Sequence, residues 1–100
     1  MRNLAIARRY AKALLLIGKE DGRVETYREE LDGVSSLIDR EKVLKQSITN
    51  PIYDVASRRK VLEAVIEKLG LSKVMTAFLM LLFDKGRVSF ISNINEFYQK

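Results

Sequence analysis

The chain has 100 residues, of which 47% are hydrophobic, and this is enough for one compact domain. It contains no cysteine and no histidine, which excludes a disulfide framework and a thiolate metal site and removes the commonest general base. The formal net charge of +5 suits an anionic partner but is also ordinary for a small soluble bundle. We expect no bound cofactor. No continuous apolar stretch follows Arg2, so no signal peptide is expected.

The first predicted helix runs from about Asn3 to Lys19, with Asn3 as a candidate N-cap. On a helical projection its polar residues occupy one arc of about 100°, while apolar side chains cover roughly 200°. That is about twice the width that one core contact requires. We expect the surplus to centre on three small or smooth side chains, Ala7, Ala11 and Leu14.

The second and third predicted helices follow from the apolar spacing and from a candidate capping residue. Apolar residues at three- and four-residue steps predict a second helix over about Arg23 to Ile38. Gly33 inside it costs about 1 kcal/mol relative to alanine, which close approach by a neighbouring helix would offset. Asp39 is a candidate N-cap for a short third helix over about Arg40 to Ser47.

The strongest break is Thr49-Asn50-Pro51, because a residue before proline is disfavoured in the helical region. Asp54 is then a candidate N-cap for a fourth helix over about Val55 to Leu69. Gly70 is expected to adopt a left-handed conformation at its end, with Leu71 folding back as in a Schellman motif.

The fifth predicted helix is the most apolar segment of the chain. Ser72 is its candidate N-cap, every residue from Val74 to Phe83 except Thr76 is apolar, and Gly86 is expected to end it. A helix that is apolar nearly all round is buried on most sides, so this one is expected to be central. At about 15 Å it is too short to cross roughly 30 Å of hydrocarbon.

A sixth helix is predicted over about Val88 to Tyr98. No segment shows sustained alternation of apolar and polar residues, which a half-buried strand would require. The sequence therefore predicts an all-α fold, a six-helix bundle of five longer helices and one short helix, without a sheet.

An enzyme without histidine could still use Asp, Glu, Lys or Tyr, and four acidic side chains on the polar helix faces are the carboxylate candidates. They lie beside arginine and lysine, so ordinary surface ion pairs are favoured over a pair of buried catalytic carboxylates. The residues concerned are Glu29, Glu30, Asp32 and Glu63.

A helix-turn-helix DNA-binding domain stays an alternative. It rests on the basic run from Arg58 to Lys60 and on the tight turn at Gly70. Its recognition helix would be the fifth predicted helix, which offers almost no polar side chain to a base edge. A solvated basic face is therefore the favoured interpretation of that run.

The first and fifth predicted helices both carry more apolar surface than a bundle of this length can cover. If they are neighbours, their uncovered flanks form a shallow apolar groove of the kind that accepts an amphipathic helix. A generic adaptor for such a peptide is therefore a further alternative.

Three motifs resemble the δ subunit of F-type ATP synthases, whose mitochondrial counterpart is the oligomycin-sensitivity-conferring protein. They are IARRYAKA from Ile6, the break from Leu44 through Ile48 to Pro51, and FL at Phe78 followed by KGR at Lys85. They occur in the order and at the spacing of that family and together span most of the chain.

The resemblance implies the N-terminal domain of a non-catalytic stator subunit. Its first and fifth helices would bind the N-terminal helix of an α subunit and hold the catalytic head still during proton-driven ATP synthesis. Transferred by position, the groove residues are Ala7, Tyr10, Ala11, Leu14, Phe78, Leu81, Leu82 and Lys85.

The resemblance also implies a second, C-terminal domain that contacts the b subunit of the peripheral stalk. We expect that domain to be absent from this chain, so that residues 1–100 form a single helical domain. The implied location is peripheral, at the cytoplasmic face of a bacterial plasma membrane, without membrane insertion and without nucleic acid.

Overall fold

In the computed structural model, which describes residues 4–100, the chain forms six α-helices and one turn of 3-10 helix. The elements in chain order are α1 (Leu4–Asp21), α2 (Val24–Arg40), α3 (Lys42–Thr49), α4 (Val55–Leu69), α5 (Lys73–Asp84), the 3-10 turn (Val88–Phe90) and α6 (Ile91–Gln99). No strand occurs in residues 4–100, so the predicted all-α bundle is confirmed, with α3 as its shortest helix. The candidate N-cap Asn3 lies outside the described residues.

The N-termini of α4 and α5 are capped as the sequence predicts. Asp54 Oδ1 accepts a hydrogen bond from the Ser57 N–H at 2.9 Å, and Ser72 Oγ accepts one from the Met75 N–H at 3.2 Å. The bonds from Ser57 lower the pKa of the Asp54 carboxyl, because they favour its charged form. Both caps satisfy backbone donors that a helix start leaves without intrahelical partners.

The C-termini of α4 and α5 end in the same way. Gly70 and Gly86 have φ angles of 61° and 68°, a conformation that is inexpensive only for glycine. In each case the next N–H reaches back five residues, from Leu71 to Ile66 O at 3.3 Å and from Arg87 to Leu82 O at 2.7 Å. These are Schellman motifs, and the prediction at Gly70 and Leu71 is confirmed.

The predicted N-cap at Asp39 is wrong. Helix α2 continues to Arg40, and the residue before α3 is Glu41, whose side chain makes no capping hydrogen bond. The Asp39 carboxylate instead accepts a hydrogen bond from Ser92 Oγ of α6 at 2.9 Å. The contact between α2 and α6 has therefore outweighed the local preference of an aspartate for the N-cap position of a helix.

The core is formed where α1 packs against α6 and α2, while α3 packs against α4. Each of these helices and α5 contributes fully buried side chains, among them Leu14, Leu31, Leu62, Leu79 and Ile94. The fifth helix is less enclosed than its composition suggests, since Ala77 and Leu81 lie at the surface.

Polar contacts fix α6 antiparallel to α2. Besides Asp39 and Ser92, they are Asn95 Nδ2 to Asp32 Oδ1 at 3.1 Å, Tyr98 Oη to Val24 O at 2.8 Å and Arg28 Nη1 to Gln99 O at 3.0 Å. Asp32 therefore accepts a bond from another helix, and the surface ion pair predicted for it is not formed among the described residues.

Close helix approach occurs at Gly18 and not at Gly33. A Cβ on Gly18 would lie 3.1 Å from Val24 Cα and 3.2 Å from Val24 Cγ2, which is too close without displacement of α2. Apart from its chain neighbours and the backbone of its own helix, no atom of the described residues lies within 4 Å of a Cβ built on Gly33, which is exposed. The prediction that Gly33 admits a neighbouring helix is thus wrong.

The two glycines give a matched pair of stability predictions. Gly18→Ala should lower the free energy of unfolding by about 1–2 kcal/mol, because overpacking against Val24 exceeds the gain in helix propensity. Gly33→Ala should raise it by about 0.5–1 kcal/mol, because the site is helical and open. Urea unfolding followed by circular dichroism measures both. Equal effects of the two substitutions would contradict the packing described here.

Candidate functional site

Helices α1 and α5 meet at two aromatic side chains. The rings of Tyr10 and Phe78 have centroids 6.1 Å apart and planes at 78°, an edge-to-face contact. Arg87, just beyond α5, donates from Nη1 to the Tyr10 hydroxyl oxygen at 2.9 Å. The two helices with surplus apolar surface are therefore neighbours, which is the condition for a groove between them.

The structure distributes the eight sequence-predicted groove residues over three environments. Four lie in the core with at most 3% of their surface exposed: Ala7, Ala11, Leu14 and Leu82. Two form the contact between the helices, with Tyr10 half-buried and Phe78 7% exposed. Two are open to solvent, Leu81 and Lys85.

The expectation that the surplus of α1 centres on Ala7, Ala11 and Leu14 is wrong. Those residues face inward, in the helix that packs against α6 and α2, so the middle of the apolar arc is the core contact itself. Leu4 and Leu16 are 40% and 53% exposed but lie away from the edge of the arc that carries Tyr10. The partly covered apolar surface at that edge comprises four side chains at spacings of four, three and four residues, which align on one face of a helix. They are Ile6, Tyr10, Ala13 and Ile17.

Helix α5 presents a stripe with the same spacing on the side that carries Phe78. Its members are Val74, Phe78, Leu81 and Lys85. Leu81 is 45% exposed and, on α1, Ile17 is 39% exposed, so each stripe leaves one large aliphatic side chain open to solvent. We call these two stripes together the α1–α5 groove.

Four members of these stripes were not among the sequence-predicted groove residues: Ile6, Ala13, Ile17 and Val74. Their signal was present, because all four belong to the wide apolar arcs of the first and fifth helices. Which edge of each arc is uncovered depends on where α2, α6 and α4 pack, and a helical projection does not contain that information.

Three polar contacts hold α5 in place. At its N-terminus the Glu30 carboxylate accepts hydrogen bonds from Ser72 N–H at 2.6 Å and from Ser72 Oγ at 2.7 Å. At its C-terminus Asp84 pairs with Arg59 of α4 at 2.7 Å, and Arg87 bonds to Tyr10 of α1. Glu30 was expected in an ordinary surface ion pair; instead it joins α2 to the cap of α5.

The basic run on α4 is engaged with the protein itself. The guanidinium carbons of Arg58 and Arg59 lie 5.7 and 5.5 Å from the centre of the Phe83 ring, and Arg59 also pairs with Asp84. Two of the three cations in the run therefore cover an aromatic side chain of α5, while Lys60 is exposed. The geometry thus disfavours the DNA-binding alternative.

Neither a metal centre nor a membrane span is found in residues 4–100. No group of three or more acidic side chains in this range is arranged to hold a metal ion. No helix in the same range is both long enough and apolar enough to cross a bilayer.

Comparison with known proteins gives a consistent result. The family model described as the ATP synthase delta (OSCP) subunit matches residues 6–100. A protein of Desulfosudis oleivorans named ATP synthase subunit delta is 59% identical over 99 residues, which are 99% of this chain and 54% of that protein. A protein of the same name from Geobacter sp. (strain M21) is 40% identical over 98% of this chain and 54% of its own length. The chain spans about half the length of these relatives, and no solved structure matches it.

Removal of the Glu30 carboxylate should loosen the start of α5. In Glu30→Ala the Ser72 N–H and hydroxyl lose their acceptor, and we expect a loss of about 1–2 kcal/mol of stability. Amide hydrogen exchange should accelerate in the first turn of α5. Glu29→Ala is the matched control, since Glu29 is exposed and adjacent. The same acceleration in both variants would show that the Glu30 carboxylate does not hold the start of α5 in place.

Proposed function

The chain belongs to the ATP synthase delta (OSCP) subunit family, and from this premise we propose that it is a non-catalytic stator module of an F-type ATP synthase. Its α1–α5 groove would dock the N-terminal helix of an α subunit. That contact would hold the catalytic head against rotation while proton flow drives ATP synthesis. The observation that carries the proposal is the pair of apolar stripes that meet at Tyr10 and Phe78.

The dimensions of the groove suit a helix. Each stripe runs over three helical turns, or about 16 Å, which corresponds to the length of an eleven-residue amphipathic segment. Apart from Lys85, the exposed stripe residues are aliphatic, and the floor is formed by two aromatic rings. Helix-in-groove recognition uses this combination, with anchor residues of the partner at three- and four-residue steps.

Docking of this kind is mechanical and involves no chemical step. Burial of the apolar stripes supplies the favourable free energy, at roughly 25 cal/mol per Å² of apolar surface. The polar contacts at both ends of α5 keep the groove in shape, so that little conformational entropy is lost when the partner binds.

The remaining contacts of the stator lie outside this groove in our proposal. We place the contact with the b subunit in a C-terminal domain, beyond the single helical domain formed by residues 1–100. The assembled complex would sit at the cytoplasmic face of a bacterial plasma membrane. This module would be attached to it through protein contacts alone.

Substitutions of the exposed residues in the two stripes test whether the α1–α5 groove binds the partner helix. Leu81→Glu and Ile17→Glu should each weaken binding at least about ten-fold, because a carboxylate would be desolvated against the partner helix. The matched control is Val43→Glu, which introduces the same charge at an apolar α3 side chain that is 80% exposed and away from the groove. Calorimetric titration with a synthetic peptide of the α-subunit N-terminus from the same organism measures all three. Equal affinities would rule out the groove as the docking site.

A further inference from the structure

Arg87 occupies a distinctive position at the end of the α1–α5 groove. It follows Gly86, where α5 has ended, and its backbone N–H is held by Leu82 O at 2.7 Å. Its guanidinium carbon lies 5.8 Å from the centre of the Tyr10 ring, and Nη1 donates to the Tyr10 hydroxyl at 2.9 Å. The side chain is partly buried, so a cation is fixed beside the aromatic floor of the groove.

This cation has no acidic partner in the described part of the chain. The ion pairs formed within residues 4–100 use Arg28, Arg40 and Arg59, and none includes Arg87. Asp84, the acidic residue of α5, is already paired with Arg59. A partly desolvated arginine without a counter-charge is more costly than one in a pair, and an arriving carboxylate would offset that cost.

The geometry of the guanidinium leaves room for such a carboxylate. Arginine has five N–H donors in a planar fork, and one of those on Nη1 is used by Tyr10. The edge formed by Nε and Nη2 makes no side-chain hydrogen bond within residues 4–100 and matches the two oxygens of a carboxylate. The neighbouring charges reinforce this preference. Arg9 precedes Tyr10, Lys85 precedes Gly86, and both side chains are exposed.

We propose that Arg87, oriented by Tyr10, is a specificity-determining residue that binds a carboxylate of the docked helix. The occupant of the groove is therefore an amphipathic helix with an acidic side chain at the edge of its apolar face, opposite Arg87. This inference rests on the proposed function of the groove. A second copy of this chain is disfavoured as the occupant, because each copy carries a net charge of +5.

A double-mutant cycle tests the proposal. The probe is the N-terminal peptide of the α subunit from the same organism, with each Asp or Glu replaced in turn by Asn or Gln. The chain is used as such and as Arg87→Gln, with Arg8→Gln as the matched control, since Arg8 stacks on Phe97 at 5.1 Å and not on the groove floor. One peptide substitution should cost about ten-fold in affinity with the unmodified chain and with Arg8→Gln, but less than about two-fold with Arg87→Gln.

Two further variants protect the test. Arg87→Lys keeps the charge but loses the planar guanidinium edge that can bind both oxygens of a carboxylate. We therefore expect this variant to recover only part of the affinity for the peptide. Tyr10→Phe removes the hydroxyl that orients Arg87 and should weaken the same peptide contact. Thermal unfolding of each variant establishes that the bundle is intact, and Arg87→Lys replaces Arg87→Gln in the cycle if the latter is unfolded.

The outcomes separate the two levels of the proposal. If the peptide binds but has no acidic residue whose replacement depends on Arg87, the carboxylate inference is overturned and the docking function stands. If the peptide does not bind the unmodified chain at all, the proposed function fails, and the inference about Arg87 falls with it.

Discussion

The edge-to-face contact between Tyr10 and Phe78 is the interaction on which the candidate site depends. Helix α1 directs the middle of its apolar arc into the core, and only one edge is left for α5. Where α5 approaches that edge, the two helices are joined by the Tyr10 and Phe78 rings and by the bond from Arg87 to the Tyr10 hydroxyl. Ile17 and Leu81 stay exposed on the two helices, and the stripes to which they belong form the proposed groove.

A helix that lines a binding groove has two opposing requirements. It has to keep apolar side chains open, which reduces the burial that fixes it, and it has to keep its position. In this bundle polar contacts with three different helices meet the second requirement, through Glu30, Arg59 and Tyr10. Hydrogen bonds are directional, whereas apolar burial is not, so such contacts determine position more than they add stability. For the proposed docking, a groove whose shape is set before binding would lose little conformational entropy when the partner binds.

Features that depend on neighbours in sequence could be predicted from the sequence. The caps at Asp54 and Ser72 and the turn at Gly70 each involve groups within five residues, and all were correctly placed. Features that depend on how helices pack could not. Asp39 and Glu30 bind residues more than forty positions away, and the exposed edge of α1 follows from the placement of α2 and α6. For the proposed groove, the wide apolar arcs and the family resemblance pointed to α1 and α5, whereas the edge of each helix that stays exposed was not identifiable from the sequence.

The central claim is that both flanks of the α1–α5 groove are covered together when the α-subunit helix docks. Methyl NMR on the labelled chain, with and without the α N-terminal peptide, tests it most directly. We expect large shift changes for the methyl groups of Ile17, Val74 and Leu81. The methyl groups of Val43 on α3 and of Ile52 between α3 and α4, which are also open to solvent, should be unchanged. Changes confined to Val43 and Ile52, or to only one of the two helices, would contradict it.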